Sequence, residues 1–509
     1  MKKSTGYNRK LRTLAAALAA LTLCAAPGFA AHAERGAGDF LEQVGDLGMR
    51  LERALEAYEQ EHAAGDATPG EQTAEAESAQ KLYEQGYSYE YGVGVTVNHV
   101  KAKECFEIAA AQGHAGAMYE LGRIYEKGYG VETDVAQALR WYEEGAKLGD
   151  IDAMEALGWA YVYDSRVEQN VEAGTYWYEC AAAQGSTHAM YNLGWMYEAG
   201  KYVEQNYETA RTWYEKAAAL GHDGAMNNLG VVYEDGHGVE ADFAAARTWY
   251  EKAAALGNTY GMFNLARLYE DGLGVTQDYA TAAELYERAA ELGNVGAMEN
   301  VGWFYEAGQG VEQSYETARS WYEQAAQQGS GYAMICMGLL YEEGQGVEQS
   351  YEMARSWYEQ AAGQGYGLAM YYLGGLYEDG RGAEQNYETA RSWYEQAAEQ
   401  GIDSAMFRLG WFYEEGLGVE QSYETAKSWY EQAAELGHAS AINNLGYFYN
   451  QGKGVAQDYA KAAELYEQAA ELGNTNAMEN LAILYESGLG VPKNREMALM
   501  WRERANAGQ

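Results

Sequence analysis

The sequence predicts an all-α solenoid of about twelve 36-residue helix-turn-helix repeats, and three observations predict it. Met118, Met154, Met190, Met226, Met262, Met298, Met334, Met370, Met406 and Met478 fall 36 residues apart, with Leu82 leading and Ile442 in the one remaining slot. A polar residue able to cap a helix shares one phase in all twelve units, and a Gly-x-Gly turn separates two apolar-periodic stretches in most of them. Self-similarity at a fixed period of this length marks units that bury a core only by stacking on their neighbours.

The elements follow in order. Residues 1–33 read as a cleavable export signal: Lys2, Lys3, Arg9, Lys10 and Arg12 precede the apolar run Leu14 to Ala26, and Ala31-His32-Ala33 offers a small-x-small cleavage site. That run is too short to span a bilayer comfortably. Leu23 before Cys24 is not the small residue a lipoprotein signal needs, so lipid anchoring is not expected. No later segment reads as transmembrane, and a periplasmic or secreted bacterial protein is expected. In 34–64, Phe40, Val44, Leu47, Leu51, Leu55 and Tyr58 trace an amphipathic helix that either caps the array or pairs with a partner. A polar linker at 65–78 then leads into the repeats.

The repeats are expected at 79–114, 115–150, 151–186, 187–222, 223–258, 259–294, 295–330, 331–366, 367–402, 403–438, 439–474 and 475–509. In residues 295–330 the first helix places Met298, Val301, Gly302 and Tyr305 on one stripe, and the second does so with Ala318, Trp321, Tyr322 and Ala325. The second helix begins at Asn98, Asp134, Asn170, Asn206, Asp242, Asp278, Ser314, Ser350, Asn386, Ser422, Asp458 or Asn494. Their side-chain oxygens can accept first-turn amide hydrogens, each worth about 0.5–2 kcal/mol over Ala. Glycines such as Gly113, Gly221 and Gly437 then suit the left-handed position after the helix. The Tyr series Tyr89 to Tyr485 and the Trp series Trp141 to Trp501 are expected in the core, faced by small residues such as Gly86, Gly122, Gly158 and Gly194.

Two units depart from the pattern. Asp164 and Arg166 stand where other turns carry glycine, and Tyr202 replaces one glycine of the next turn, so these turns must differ because non-Gly residues avoid positive φ. The last unit, with Lys493, Arg495, Arg502 and Arg504, reads as a polar cap.

A formal charge of −41 argues against nucleic acid and anionic lipid as partners and favours basic ones. Removal of the signal would leave Cys105, Cys180 and Cys336 at unrelated phases, too far apart for disulfide stapling. Neither these nor the scattered His62, His99, His114, His188, His222, His237 and His438 form a metal-ligand or nucleophile motif. No enzyme activity, cofactor or metal is expected.

The run small-x-x-x-L-G-x-x-Y, then G-x-G-V, an Asx or Ser cap, and A-x-x-W-Y-x-x-A-A-x-x-G resembles the Sel-one-like repeat family, a relative of the tetratricopeptide repeats. Residues 187–222 carry it plainly in AMYNLGWMYEAG and NYETARTWYEKAAALG. The resemblance covers about residues 79–509 and implies a right-handed α/α superhelix acting as scaffold or adaptor, in bacteria often at the envelope. Some cysteine-rich members are linked with β-lactam binding or hydrolysis, but their paired cysteines are absent here.

Units seven to ten have nearly identical second helices and very different first helices, as expected if first helices carry specificity; relaxed packing is the alternative. In the resembled hairpins the first helices line the concave face. Asn192, Asn228, Asn264, Asn300, Asn444 and Asn480 share one of their phases, and an amide can hold a peptide backbone without reading its side chains. Trp159, Trp195, Trp303, Trp411 and Tyr447 lie three residues further on, and Tyr119, Tyr191, Phe263, Tyr371 and Phe407 one residue before. Arg123, Arg267 and Arg408 interrupt the rows and either receive carboxylates or pair with nearby Glu. The expected role is a noncatalytic envelope scaffold binding protein or peptide. A glycan- or cell-wall-binding solenoid is the runner-up, and a β-lactam hydrolase comes third. In the competing structural reading the Asn row bonds between repeats and the rings finish the core.

Overall fold

The computed structural model describes residues 69–507, which form twenty-four helices and no strand. The expected export signal at 1–33 and amphipathic helix at 34–64 lie outside the described residues. The first described helix runs Pro69–Tyr91 and takes in ten residues of the expected linker at 65–78. Polarity suggested a linker there, yet Pro69 suits a first helical position and the Glu, Gln and Ala that follow are strong helix formers. None of the described helices is long and apolar enough to cross a membrane.

Two compact units divide the chain, one ending at Ala241 and one starting at Asp242. Each is a stack of helices in which every helix packs on its neighbours in sequence. Apart from Pro69–Tyr91, all helices have 13 residues, as Val295–Ala307 and Tyr315–Gln327 illustrate.

Side-chain chemistry sets the helix ends. All twelve expected caps of the second helices accept a first-turn N–H, for example Asn206 from Thr209 at 2.9 Å and Asn494 from Glu496 at 3.0 Å. The first helices carry a second cap row that shares a phase: His114, Asp150, Ser186, His222, Asn258, Asn294, Ser330, His438 and Asn474 each accept from a backbone N–H three residues on. Three of the histidines that looked scattered are therefore caps, through Nδ1. The turns behave as their composition requires. Gly308 and Gly310 both have φ of 68°, whereas Asp164 takes φ −76° and closes its turn by accepting the Arg166 N–H at 2.9 Å.

The core differs from expectation in one respect. The Trp series and the Tyr89 to Tyr485 series are mostly half-buried, while the fully buried rings belong to the next second-helix phase, Tyr178, Tyr214, Tyr250 and onward to Tyr466. Each such ring removes about 150–250 Å² from water, on the order of 4–6 kcal/mol before conformational entropy is subtracted. Glycines of the facing first helix make the room: a Cβ on Gly194, Gly302 or Gly338 would lie 2.5, 2.4 or 2.2 Å from ring atoms. The buried hydroxyls need acceptors, and in most repeats the Glu next to the end of the first helix supplies one. Tyr214 donates to Glu198 at 2.5 Å, Tyr322 to Glu306 at 2.8 Å and Tyr358 to Glu342 at 2.9 Å. In the third repeat that Glu is Val162, which is buried, and the facing residue is Gly174 where other repeats have Ala. A Cβ at Gly174 would lie 2.5 Å from Val162 Cγ2, so the two changes compensate.

Candidate functional site

The three rows of candidate residues on the first helices meet three different surroundings. The row before the Asn phase is half-buried and packs on the buried Tyr: Tyr119 on Tyr142 at 5.8 Å and Tyr191 on Tyr214 at 5.8 Å in the first unit. In the second unit Phe263 lies 5.4 Å from Tyr286, Tyr371 5.8 Å from Tyr394 and Phe407 5.7 Å from Tyr430. Burial pushes the Tyr119 hydroxyl up to about 12, so it stays protonated.

The Asn row lies between repeats. Asn228 Nδ2 donates to the Tyr214 hydroxyl of the preceding repeat at 3.1 Å, and Asn227 Nδ2 donates to Asn228 Oδ1 at 3.2 Å. Asn444 Oδ1 accepts from Asn443 Nδ2 at 3.2 Å. Asn480 Nδ2 donates to Asn443 Oδ1 at 3.1 Å. The amide groups of these residues thus have partners inside the array. Asn264 is also engaged, and Asn192 is half-buried.

The outer row reaches solvent. Trp159, Trp195, Trp303 and Tyr447 are each more than a third exposed, and Trp411 is half-buried. Trp195 joins Tyr163 at 6.0 Å, which in turn meets Tyr202 edge-on at 5.2 Å. That small aromatic cluster depends on Tyr202, the residue that replaced a turn glycine.

Arg123 and Arg408 pair with Glu. Arg123 Nη1 lies 2.8 Å from Glu120 and also bonds the Tyr91 hydroxyl. Arg408 pairs with the buried Glu378 of the preceding repeat and covers the Trp411 ring at 4.7 Å. Arg267 is engaged as well.

Tyr119, Arg123 and Trp159 converge in the first unit on a cavity of about 280 Å³ between the second and third repeats. Glu126, Lys127, Tyr142, Ala156 and Asp164 also line it, none of which the sequence had marked as a site. Tyr142 donates to Glu126 at 2.8 Å, and Lys127 approaches the same carboxylate at 2.7 Å. Burial acts against the Glu126 charge, yet the bonds from Lys127 and Tyr142 and the charges of Lys127 and Arg166 hold its carboxyl below its ordinary value. Arg166 also clamps Asp164 at 2.7 Å, and that hydrogen bond holds the Asp164 carboxyl below its ordinary value against its burial. The altered third turn therefore fixes one wall of the cavity.

Compared with known proteins, the chain matches the Sel1 repeat model twelve times in succession, over 82–114, 115–150, 151–186, 187–222, 224–258, 259–294, 295–330, 331–366, 367–402, 403–438, 439–474 and 475–507. Among solved structures it is similar to c5321, a protective antigen present in uropathogenic Escherichia coli strains displaying an SLR fold. Identity is 34%, coverage is 80% of this chain and 90% of that one, and the TM-score is 0.62. It is also similar to a Sel1 repeat protein from Oxalobacter formigenes, with 30% identity, coverage of 62% and 91%, and a TM-score of 0.51. No curated protein matches it.

Proposed function

The chain belongs to the Sel1 repeat family, and from that premise we propose a noncatalytic scaffold of the bacterial envelope that binds protein or peptide segments on its first helices. One observation carries the reading. The phases that hold each repeat together carry the same residue types in most repeats, while the solvent-facing phase of the first helices carries large rings at Trp159, Trp195, Trp303 and Tyr447 in spite of their exposure. Exposed aromatic side chains supply contact area at low conformational cost, as binding surfaces require. The acidic excess favours basic segments, with attraction that weakens as salt rises. The envelope location rests on the pattern of residues 1–33.

The test is affinity capture from the native cell envelope with the wild-type chain beside a Trp159→Ala, Trp195→Ala, Trp303→Ala, Trp411→Ala variant whose helicity is verified. A protein retained by the wild type and lost from the variant is the expected result. Equal retention by both would refute binding through these rings, and retention of glycan fragments alone would replace the reading with cell-wall binding.

A further inference from the structure

The cavity between the second and third repeats is a vacated position of the molecule's own hydrogen-bond system. At the junction of the fourth and fifth repeats, within the same unit, the order is Asn228 amide to Tyr214 hydroxyl at 3.1 Å and Tyr214 hydroxyl to Glu198 at 2.5 Å. In the second unit Asn300 and Asn444 stand at the same phase after Tyr286 and Tyr430, whose hydroxyls donate to Glu270 and Glu414 at 2.8 Å. At the second junction the tyrosine and glutamate are present, Tyr142 donating to Glu126 at 2.8 Å. The residue at the Asn phase is Ala156, which has no donor, and it lines the cavity of about 280 Å³.

The cavity combines apolar walls, among them Val135, Leu139 and Ala160, with the rings of Tyr119 and Trp159 beside Ala156 and Tyr142, and Arg123 lines it as well, its charge met by Glu120. Another junction shows a different way to fill the same phase. Arg408 there pairs directly with Glu378, beneath Tyr394, and covers Trp411. At the second junction the glutamate charge is already matched, since Lys127 lies 2.7 Å and Arg166 3.4 Å from the Glu126 carboxylate. A third cation gains little at a carboxylate so compensated, whereas a neutral donor completes the tyrosine hydroxyl as Asn228 does.

We propose that this cavity is a binding site for a primary carboxamide, the Gln or Asn side chain of a bound segment, which takes the place of the missing Asn and is flanked by Trp159 and Tyr119. The assignment rests on the peptide-binding reading above and names the side chain that one site selects.

The experiment selects randomised heptapeptides displayed on phage against the immobilised full chain and, in parallel, against Ala156→Asn. That substitution installs the residue six other repeats carry at this phase and fills the cavity from within. Peptides enriched on the wild type and not on the variant are expected to share a Gln or Asn at one position. Changing that residue to Leu is expected to weaken binding at least about tenfold, a difference of about 1.4 kcal/mol. Tyr142→Phe, which keeps the ring and removes the hydroxyl, is expected to erase the carboxamide preference and serves if the first variant fails to fold. Equal enrichment on both chains, or wild-type peptides that share Arg or an aromatic residue instead, would overturn the carboxamide assignment and leave the scaffold reading standing. Absence of enrichment on either chain would overturn both.

Discussion

Gly302→Ala is expected to weaken the seventh repeat by about 1–2 kcal/mol, although the same change in an open helix strengthens it. An added Cβ would stand 2.4 Å from Tyr322 Cε1, 2.7 Å from Cδ1 and 2.8 Å from Cζ. Contact at ordinary distance requires ring and helix to separate by about 1 Å, and overpacking of that kind costs about 1–3 kcal/mol. Helix propensity returns about 1 kcal/mol. The ring cannot swing aside, because it is fully buried and its hydroxyl is held by Glu306 at 2.8 Å, so the upper part of the range applies. Gly363→Ala is the control: it closes the helix Tyr351–Gly363 with nothing within 4 Å of an added Cβ, and a gain of up to about 1 kcal/mol is expected. Native-state hydrogen exchange read hairpin by hairpin is the assay, since a solenoid opens locally and a single unfolding midpoint would average over repeats. Increased protection in Gly302→Ala, as in the control, would refute the packing argument. Two repeats already carry Ala at this phase. Ala482 faces Arg502 instead of a ring. Ala266 keeps Tyr286, but its helix has Gly261 where a Cβ would lie 2.6 Å from Ala253, so it packs closer to the preceding helix.

Two further outcomes follow from the junctions. Asn228→Ala removes the donor to Tyr214 and is expected to cost about 0.5–1.5 kcal/mol in local hydrogen exchange; unchanged protection of the fourth and fifth repeats would remove the basis for the inter-repeat ladder. His114, His222 and His438 accept helix N–H groups through Nδ1 at 3.1–3.2 Å, which requires the neutral ring, and burial lowers their pKa from the ordinary 6.5 against the pull of Asp150, Asp223 and Asp403. His188 adds to the lowering at His222. A lowered folded-state pKa means the unfolded chain takes up protons first, so this contribution is present above pH 6.5 and is lost as pH falls below it. Replacing the three with Asn, which caps without titrating, is expected to flatten the stability profile between pH 7 and the carboxylate range, measured by urea unfolding at each pH; an unchanged slope would refute it.

Much of the candidate site was visible as rows of residue types but not as depths. Asn228 and Trp195 both stand on first helices with the same period, yet one bonds across a junction and the other meets solvent. Periodicity reports which face a residue shares, whereas depth depends on how far the next hairpin advances. The cap role of His114 was legible in principle, since it shares a phase with Asp150 and Ser186, but a histidine among Asx and Ser residues does not look like a cap until its Nδ1 is seen 3.1 Å from an N–H.

By itself the sequence determined the repeat length, the twelve second-helix caps and the glycine turns, because these depend on interactions within a few residues and recur at fixed spacing. Tertiary structure decided which rings are buried, which Glu a buried hydroxyl such as that of Tyr214 reaches, and that Ala156 lines a cavity at the phase where Asn228 bonds Tyr214. Those outcomes depend on side chains from separate helices meeting in one volume, and the spacing of residues along one chain carries no measure of that volume.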